Sequence, residues 1–222
     1  MITVVVADDE ATVRAGVRAI LTADEHLAVV AEASDGREAV EAVRRHRPDV
    51  ALLDIRMPRM DGLAAVPEIR RLVPSTAVMI LTTFSEDEYI ARALGDGASG
   101  FLLKSGDPRE LIAGVRAAAD GAAYLSPKVA HRVIAELGAG AGGRMSRSAA
   151  ARERVGTLTQ REREVLALLG AGMSNAAIGR RLYLVEGTVK AYVSAILSRL
   201  EVQNRVQAAV IAHEAGLVDE DR

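Results

Sequence analysis

The chain has no cysteine and no tryptophan. Without thiols there is no disulfide framework, no thiolate nucleophile and no zinc finger, and the expected compartment is the cytoplasm. Aromatic residues make up 3% of the chain, too few stacking platforms for a reader of single-stranded bases. No apolar run reaches the roughly 18 residues that a membrane-crossing helix needs. The opening Met1-Ile2-Thr3-Val4-Val5-Val6 lacks a basic segment and meets Asp8-Asp9-Glu10 at once, so no secretory signal is expected there. A strong net charge is missing too. The formal value is −2, which at face value argues against a nucleic-acid partner. What is present is ample apolar material, 50% of residues, against 26% charged. That excludes global disorder, and 222 residues accommodate one large domain or two small ones.

From residue 1 to about 125 two periods alternate. Ile2–Ala7, Leu27–Ala31, Val50–Leu53, Ala77–Leu81 and Gly100–Leu103 are short apolar runs of the kind that form buried parallel strands. Between them lie helical patterns, such as Val13, Val17, Ile20 and Leu21. Asp35-x-x-Glu38, Ser85-x-x-Glu88 and Asp107-Pro108-x-Glu110 mark helix starts. Five βα units imply a doubly wound, five-stranded parallel α/β domain over 1–125. Residues 126–156 read as a short helix (127–137) and a flexible linker, since 138–156 hold five glycines and little apolar periodicity. Residues 157–222 are helical throughout. Thr159-x-x-Glu162, Ser174 and Asn204-x-x-Gln207 start helices, and a further one runs from about Glu186. Two of these four helices are joined through Leu182–Val185, which fits a helix-turn-helix.

Charge follows the same division. Residues 1–125 carry a net −6, residues 126–156 a net +4, and residues 180–205 a net +3. The near-zero total therefore conceals an acidic first domain and a basic stretch beyond it.

In a parallel sheet the C-terminal strand ends share one edge, where open α/β sheets place their sites. That edge gathers Asp8-Asp9 after the first strand, Asp54 after the third, Thr82 after the fourth and Lys104 after the fifth. Clustered carboxylates repel one another, and a hard divalent cation that keeps several waters, Mg²⁺, relieves the repulsion. One carboxylate can then attack phosphorus while an ammonium and a hydroxyl hold the transferred oxygens. Two Gly-x-Gly-x-x-Gly matches, at Gly95–Gly100 and Gly138–Gly143, sit in the wrong context for dinucleotide binding.

Asp8-Asp9, Asp54-Ile-Arg-Met57-Pro58-Arg-Met-Asp61-Gly62, Thr82 and Phe101-Leu-Leu-Lys104 resemble the receiver domain of bacterial two-component response regulators. The resemblance implies that Asp54 accepts a phosphoryl group from the phosphohistidine of a sensor histidine kinase. It implies Mg²⁺ held by Asp9, Asp54 and the Arg56 carbonyl, with Asp8 acting through water. Lys104 and Thr82 would bind the phosphoryl oxygens, and Phe101 would pack into the space Thr82 vacates. Phe84, two residues after Thr82, is expected to hinder the water that attacks the phosphoryl group.

The segment Leu158-Thr-Gln-Arg-Glu-Arg-Glu-Val-Leu, with Gly172-Met-Ser-Asn-Ala-Ala-Ile-Gly, Leu182 and Thr188-Val-Lys190-Ala-Tyr-Val-Ser-Ala-Ile-Leu, resembles the LuxR-type DNA-binding domain. Together the two halves are similar to a NarL/LuxR-type response regulator over nearly the whole chain. The resemblance implies that the third helix of the small domain enters the major groove and presents Lys190, Ala191 and Ser194. Thr188, Arg180, Arg181, Arg199 and Arg205 are candidate phosphate contacts. Two positions depart from the family pattern: Val185 stands where Ser or Thr would cap the recognition helix, and Tyr192 where His is common. The expected protein is a phosphorylation-dependent, sequence-specific transcription regulator, not an enzyme, binding double-stranded DNA as a homodimer when phosphorylated. A regulator that works without phosphorylation and an aspartyl-phosphate phosphohydrolase are the rival readings.

Overall fold

The computed structural model describes residues 1–83, 87–125 and 144–218. Within these the chain divides into two compact units. The expected helix at 127–137, the glycine stretch 138–143, and the Ser85 cap and Phe84 lie outside the described residues.

In the first unit the strands are β1 (Ile2–Ala7), β2 (Leu27–Ala33), β3 (Val50–Leu53), β4 (Ala77–Thr82), β5 (Gly100–Leu103) and β6 (Tyr124–Leu125). They form one parallel sheet in the order β2-β1-β3-β4-β5-β6. The helices are α1 (Ala11–Thr22), α2 (Gly36–His46), α3 (Gly62–Leu72), α4 (Asp87–Gly95) and α5 (Pro108–Ala119). Side chains alternate across the pleat. Val4, Val6, Leu52, Met79, Leu81 and Leu102 share one cluster with Val17 and Leu21 of α1 and Leu111 and Val115 of α5. The intervening Val5, Ala51, Leu53, Ile80 and Phe101 are buried as well. A sheet covered on both faces explains the unbroken apolar strands.

The five expected strands form, and β6 is an addition. It pairs Tyr124 with Gly100 and Leu125 with Phe101. Two residues carry no readable periodicity, which is why the expectation stopped at five. The pairing depends on Gly100, whose missing Cβ would stand 2.6 Å from the Tyr124 carbonyl oxygen.

The second unit contains α6 (Arg144–Gly156), α7 (Gln160–Gly170), α8 (Asn175–Leu182), α9 (Glu186–Arg199) and α10 (Arg205–Glu214). Thr159 and Glu162 form a reciprocal capping box, Ser174 accepts from the Ala177 N–H, and Asn204 accepts from the Gln207 N–H. Val165, Leu166 and Leu169 of α7 pack with Ile178, Val189, Val193, Ile196, Leu200, Ala208 and Ile211. The part of the expected linker from 144 to 156 is instead a helix. The run Ala149-Ala150-Ala151 favours helix, and Ala151 and Val155, one turn apart, are buried in the same core.

Candidate functional site

Three strand ends converge on a pocket. The Asp54 N–H donates to the Ala7 carbonyl (2.8 Å) and the Lys104 N–H to the Thr82 carbonyl (2.8 Å), so the ladder itself places these residues. Asp8 is 2% exposed and Asp54 6%, and Thr82 is fully buried. Lys104 Nζ lies 2.5 Å from Asp8 Oδ2 and 3.2 Å from Asp54 Oδ2. One ammonium thus serves two buried carboxylates. Burial lifts the Asp54 carboxyl above its usual range, opposed by the Lys104 charge and hydrogen bond. Burial works against the Lys104 ammonium, yet its bonds and charges shared with Asp8 and Asp54 outweigh this and raise its pKa.

The carboxylates of Asp8, Asp9 and Glu10 come within 4.8 Å of one another, with Asp9 and Glu10 exposed. This donor set of hard oxygens fits a divalent cation such as Mg²⁺. A cleft of about 440 Å³, lined by Asp9, Arg56, Met57, Pro58, Tyr89 and Arg92 among others, opens beside Asp9 and gives access from solvent. Phe101 is fully buried, its strand position paired with Ile80.

The loop after Asp54 is held from three directions. The Gly62 N–H donates to the Ile55 carbonyl (2.9 Å), and a Cβ on Gly62 would stand 2.0 Å from the Asp54 carbonyl oxygen. Asp61 caps α3 through the Ala64 N–H at 2.6 Å. Arg59, in the left-handed region at φ 63°, pairs with buried Asp35 and lies 3.0 Å from Glu38. The Asp35 carboxyl sits below its usual range: burial raises it, but the Glu38 N–H and Arg59 prevail. The sequence alone assigns no role to Arg59 or Arg14. Arg14 Nη1 donates to the Asp8 carbonyl (2.6 Å) and Asp9 carbonyl (3.3 Å), fixing the turn that carries both acids. Their only signal in the sequence is a guanidinium within a turn or two of an acidic loop.

In the helical unit, α8 and α9 are joined through Tyr183-Leu184-Val185. The Leu184 N–H donates to the Gly179 carbonyl (2.9 Å), so the chain reverses closely over α8. Val189, Val193 and Ile196 face inward, while Gly187, Lys190, Ala191, Ser194 and Ser198 form one exposed face. Arg180 and Arg181 are exposed at the end of α8, and Thr188 is partly covered. Lys190 Nζ lies 2.8 Å from Glu186 on the surface. Two of the expected phosphate contacts also pair within the unit, Arg199 while exposed and Arg205 while buried. Arg199 Nη1 sits 3.2 Å from the Glu162 carboxylate and 3.5 Å from the Thr157 carbonyl. Arg205 is 8% exposed and donates to the Met173 carbonyl and to Asn175 Oδ1 at 3.2 Å. Burial presses the Arg205 pKa down to about 10. A guanidinium committed to buried carbonyls is not presented to a duplex. α9 begins without a side-chain cap at Val185, as its residue type requires.

Such a pocket on a parallel sheet, followed by a helix-turn-helix, defines a response regulator with a DNA-binding output domain. Residues 4–116 match the response regulator receiver domain, and residues 156–212 match the bacterial regulatory proteins of the luxR family. The chain is 38% identical over 217 residues to the uncharacterized transcriptional regulatory protein YxjL of Bacillus subtilis, covering 98% of this chain and 97% of that one. It is 38% identical over 224 residues to the transcriptional regulatory protein DegU of Brevibacillus brevis, covering 98% and 95%. The crystal structure of response regulator ChrA, from a heme-sensing two-component system, is similar at 33% identity and a TM-score of 0.52, covering 98% of both chains. The chain belongs to the family of two-component response regulators with a receiver domain and a LuxR-type DNA-binding domain. It is a DNA-binding transcription regulator with a receiver domain.

Proposed function

We propose that Asp54 is the phosphoacceptor and that 1–125 and the helical unit act as receiver and output domains. A carboxylate oxygen of Asp54 attacks the phosphorus of a kinase phosphohistidine, the P–N bond breaks, and the imidazole leaves. The observation that carries this reading is the Lys104 ammonium 3.2 Å from Asp54, where it meets a phosphoryl oxygen attached to that carboxylate. Asp8, Asp9, Asp54 and the Arg56 carbonyl would hold Mg²⁺, which neutralises charge on the phosphoryl oxygens when bound. Thr82 donates its hydroxyl to the same oxygens, and Phe101 fills the space behind it. The added charge of about −1.5 to −2 biases the unit between two arrangements.

In the output domain the exposed face Lys190, Ala191 and Ser194 reads base edges in the major groove: Lys190 suits guanine, Ala191 a thymine methyl, and Ser194 is permissive. Arg180, Arg181 and Thr188 contact phosphates. Exposed Arg199 contacts phosphate beside its pairing with Glu162, whereas buried Arg205 holds the helices in place. Dimerisation on phosphorylation suits paired half-sites. No helix among the described residues is long and apolar enough to cross a membrane, and a cytoplasmic site of action accords with a DNA partner. Incubation with the cognate kinase and radiolabelled ATP should label the wild type and leave Asp54→Asn unlabelled. Label retained on the variant refutes the assignment. Footprinting by Asp54→Asn equal to that of the phosphorylated wild type favours the phosphorylation-independent reading.

A further inference from the structure

Tyr183 stands out because its side chain has no place in the core. It is 97% exposed, the most exposed of the large hydrophobic side chains among the described residues. Its backbone is left-handed at φ 56°. That conformation is strained for a residue with a bulky side chain and is ordinarily filled by glycine or asparagine at a helix C-terminus. The residue therefore gains no burial and occupies an unfavourable backbone position, where a smaller residue would serve the turn better.

Its location explains it. Tyr183 is two residues ahead of Val185, the N-cap position of α9, and follows the exposed Arg180 and Arg181 at the end of α8. The turn thus exposes an aromatic with a hydroxyl two and three residues after two exposed arginines. The left-handed backbone turns the chain sharply between the helices and carries the ring out into solvent. A phenol with one donor hydrogen in a basic setting suits an anionic oxygen, and tyrosine is among the side chains that bind DNA phosphates.

We propose that the Tyr183 hydroxyl donates a hydrogen bond to a backbone phosphate of the bound duplex, next to the groove entered by α9. The contact anchors the turn and sets how deeply the recognition helix seats. It rests on the DNA-binding reading of the helical unit and assigns that surface a residue outside the recognition helix. Being neutral, Tyr183 releases no counterion, so its contribution is independent of salt, unlike those of Arg180 and Arg181.

The test uses the full chain, treated with a small-molecule phosphodonor, and a duplex selected by the wild type from a random pool, with a scrambled duplex beside it. Tyr183→Phe keeps ring, exposure and backbone and removes only the hydroxyl. It should weaken binding to both duplexes about ten-fold, the effect of one hydrogen bond to a charged group. The slope of affinity against salt and the melting temperature should not change. Tyr183→Gly should lose binding at least as strongly while melting higher, because glycine relieves the left-handed backbone. Wild-type affinity in Tyr183→Phe overturns the proposal. A loss in Tyr183→Gly with none in Tyr183→Phe also overturns it, assigning the ring and not the hydroxyl. If the wild type selects no duplex, it is the DNA-binding reading itself that fails.

Discussion

Lys104→Met tests the electrostatic logic of the acidic pocket most directly. The Lys104 side chain is about 10% exposed, and it lies 2.5 and 3.2 Å from two buried carboxylates. Methionine preserves length and apolar contact but leaves two buried acids without a counter-charge. Removing one partner of a buried pair costs about 3–5 kcal/mol. The low end applies, because burial already inclines Asp54 toward its protonated form. A loss of about 3 kcal/mol in a domain of this size lowers its transition by roughly 12 °C. The sign with pH follows from the raised Asp54 pKa. A carboxyl whose folded pKa lies above its unfolded value favours folding at low pH, and that benefit is lost as pH rises through the folded pKa. The deficit of Lys104→Met should therefore be larger at pH 8 than at pH 5. Saturating Mg²⁺ should recover about 2.7 kcal/mol at a hundred times its Kd. Adding Asp8→Asn should restore part of the loss, since it removes the acid closest to the missing ammonium. Scanning calorimetry of the full chain reads all four. A fall of less than roughly 3 °C, unaffected by pH, refutes the argument that Lys104 compensates these carboxylates.

Gly62→Ala should destabilise the first unit by about 1–3 kcal/mol and slow phosphoryl acceptance, because the new Cβ would stand 2.0 Å from the Asp54 carbonyl oxygen; wild-type labelling kinetics and melting refute this. Val185→Ser should stabilise the helical unit by about 1 kcal/mol by capping α9, and an unchanged calorimetric transition refutes it. Glu162 accepts from the Thr159 N–H (2.8 Å) and lies 3.2 Å from Arg199. The Thr159 backbone bond chiefly holds its carboxyl below the usual range. Its stabilising effect is complete above the unfolded value of 4.5 and fades as pH falls through the folded one. The helical transition of the wild type should therefore drop more steeply on acidification than that of Glu162→Gln, and parallel curves refute it.

Much of this architecture is visible in the residues themselves. Strands buried on both faces are written as unbroken Val, Ile and Leu runs, and Thr159, Ser174 and Asn204 announce helix starts through local chemistry. The pocket is equally visible, since strand ends in a parallel sheet must share an edge. What escapes is whatever depends on long-range partners. β6 exists only because Gly100 admits the Tyr124 backbone. α6 was masked by the glycines before it, and its helical state depends on a core contributed by later helices. Arg205 looks like a surface cation until Met173 and Asn175 are seen beside it. The strain at Tyr183 leaves no trace in composition, because any residue type can be written at a turn.

The burial of Ala151 and Val155 bears on how such regulators can be recombined. The helical unit draws part of its core from residues ahead of its capping box at Thr159. A graft that joins a foreign N-terminal half at residue 157 would transplant the recognition helix with a hole in its supporting core. A seam placed before Arg144 keeps Ala151 and Val155 with the helices they support. The exchangeable cassette is thus longer than the helices that face DNA, and it includes residues whose composition resembles a tether.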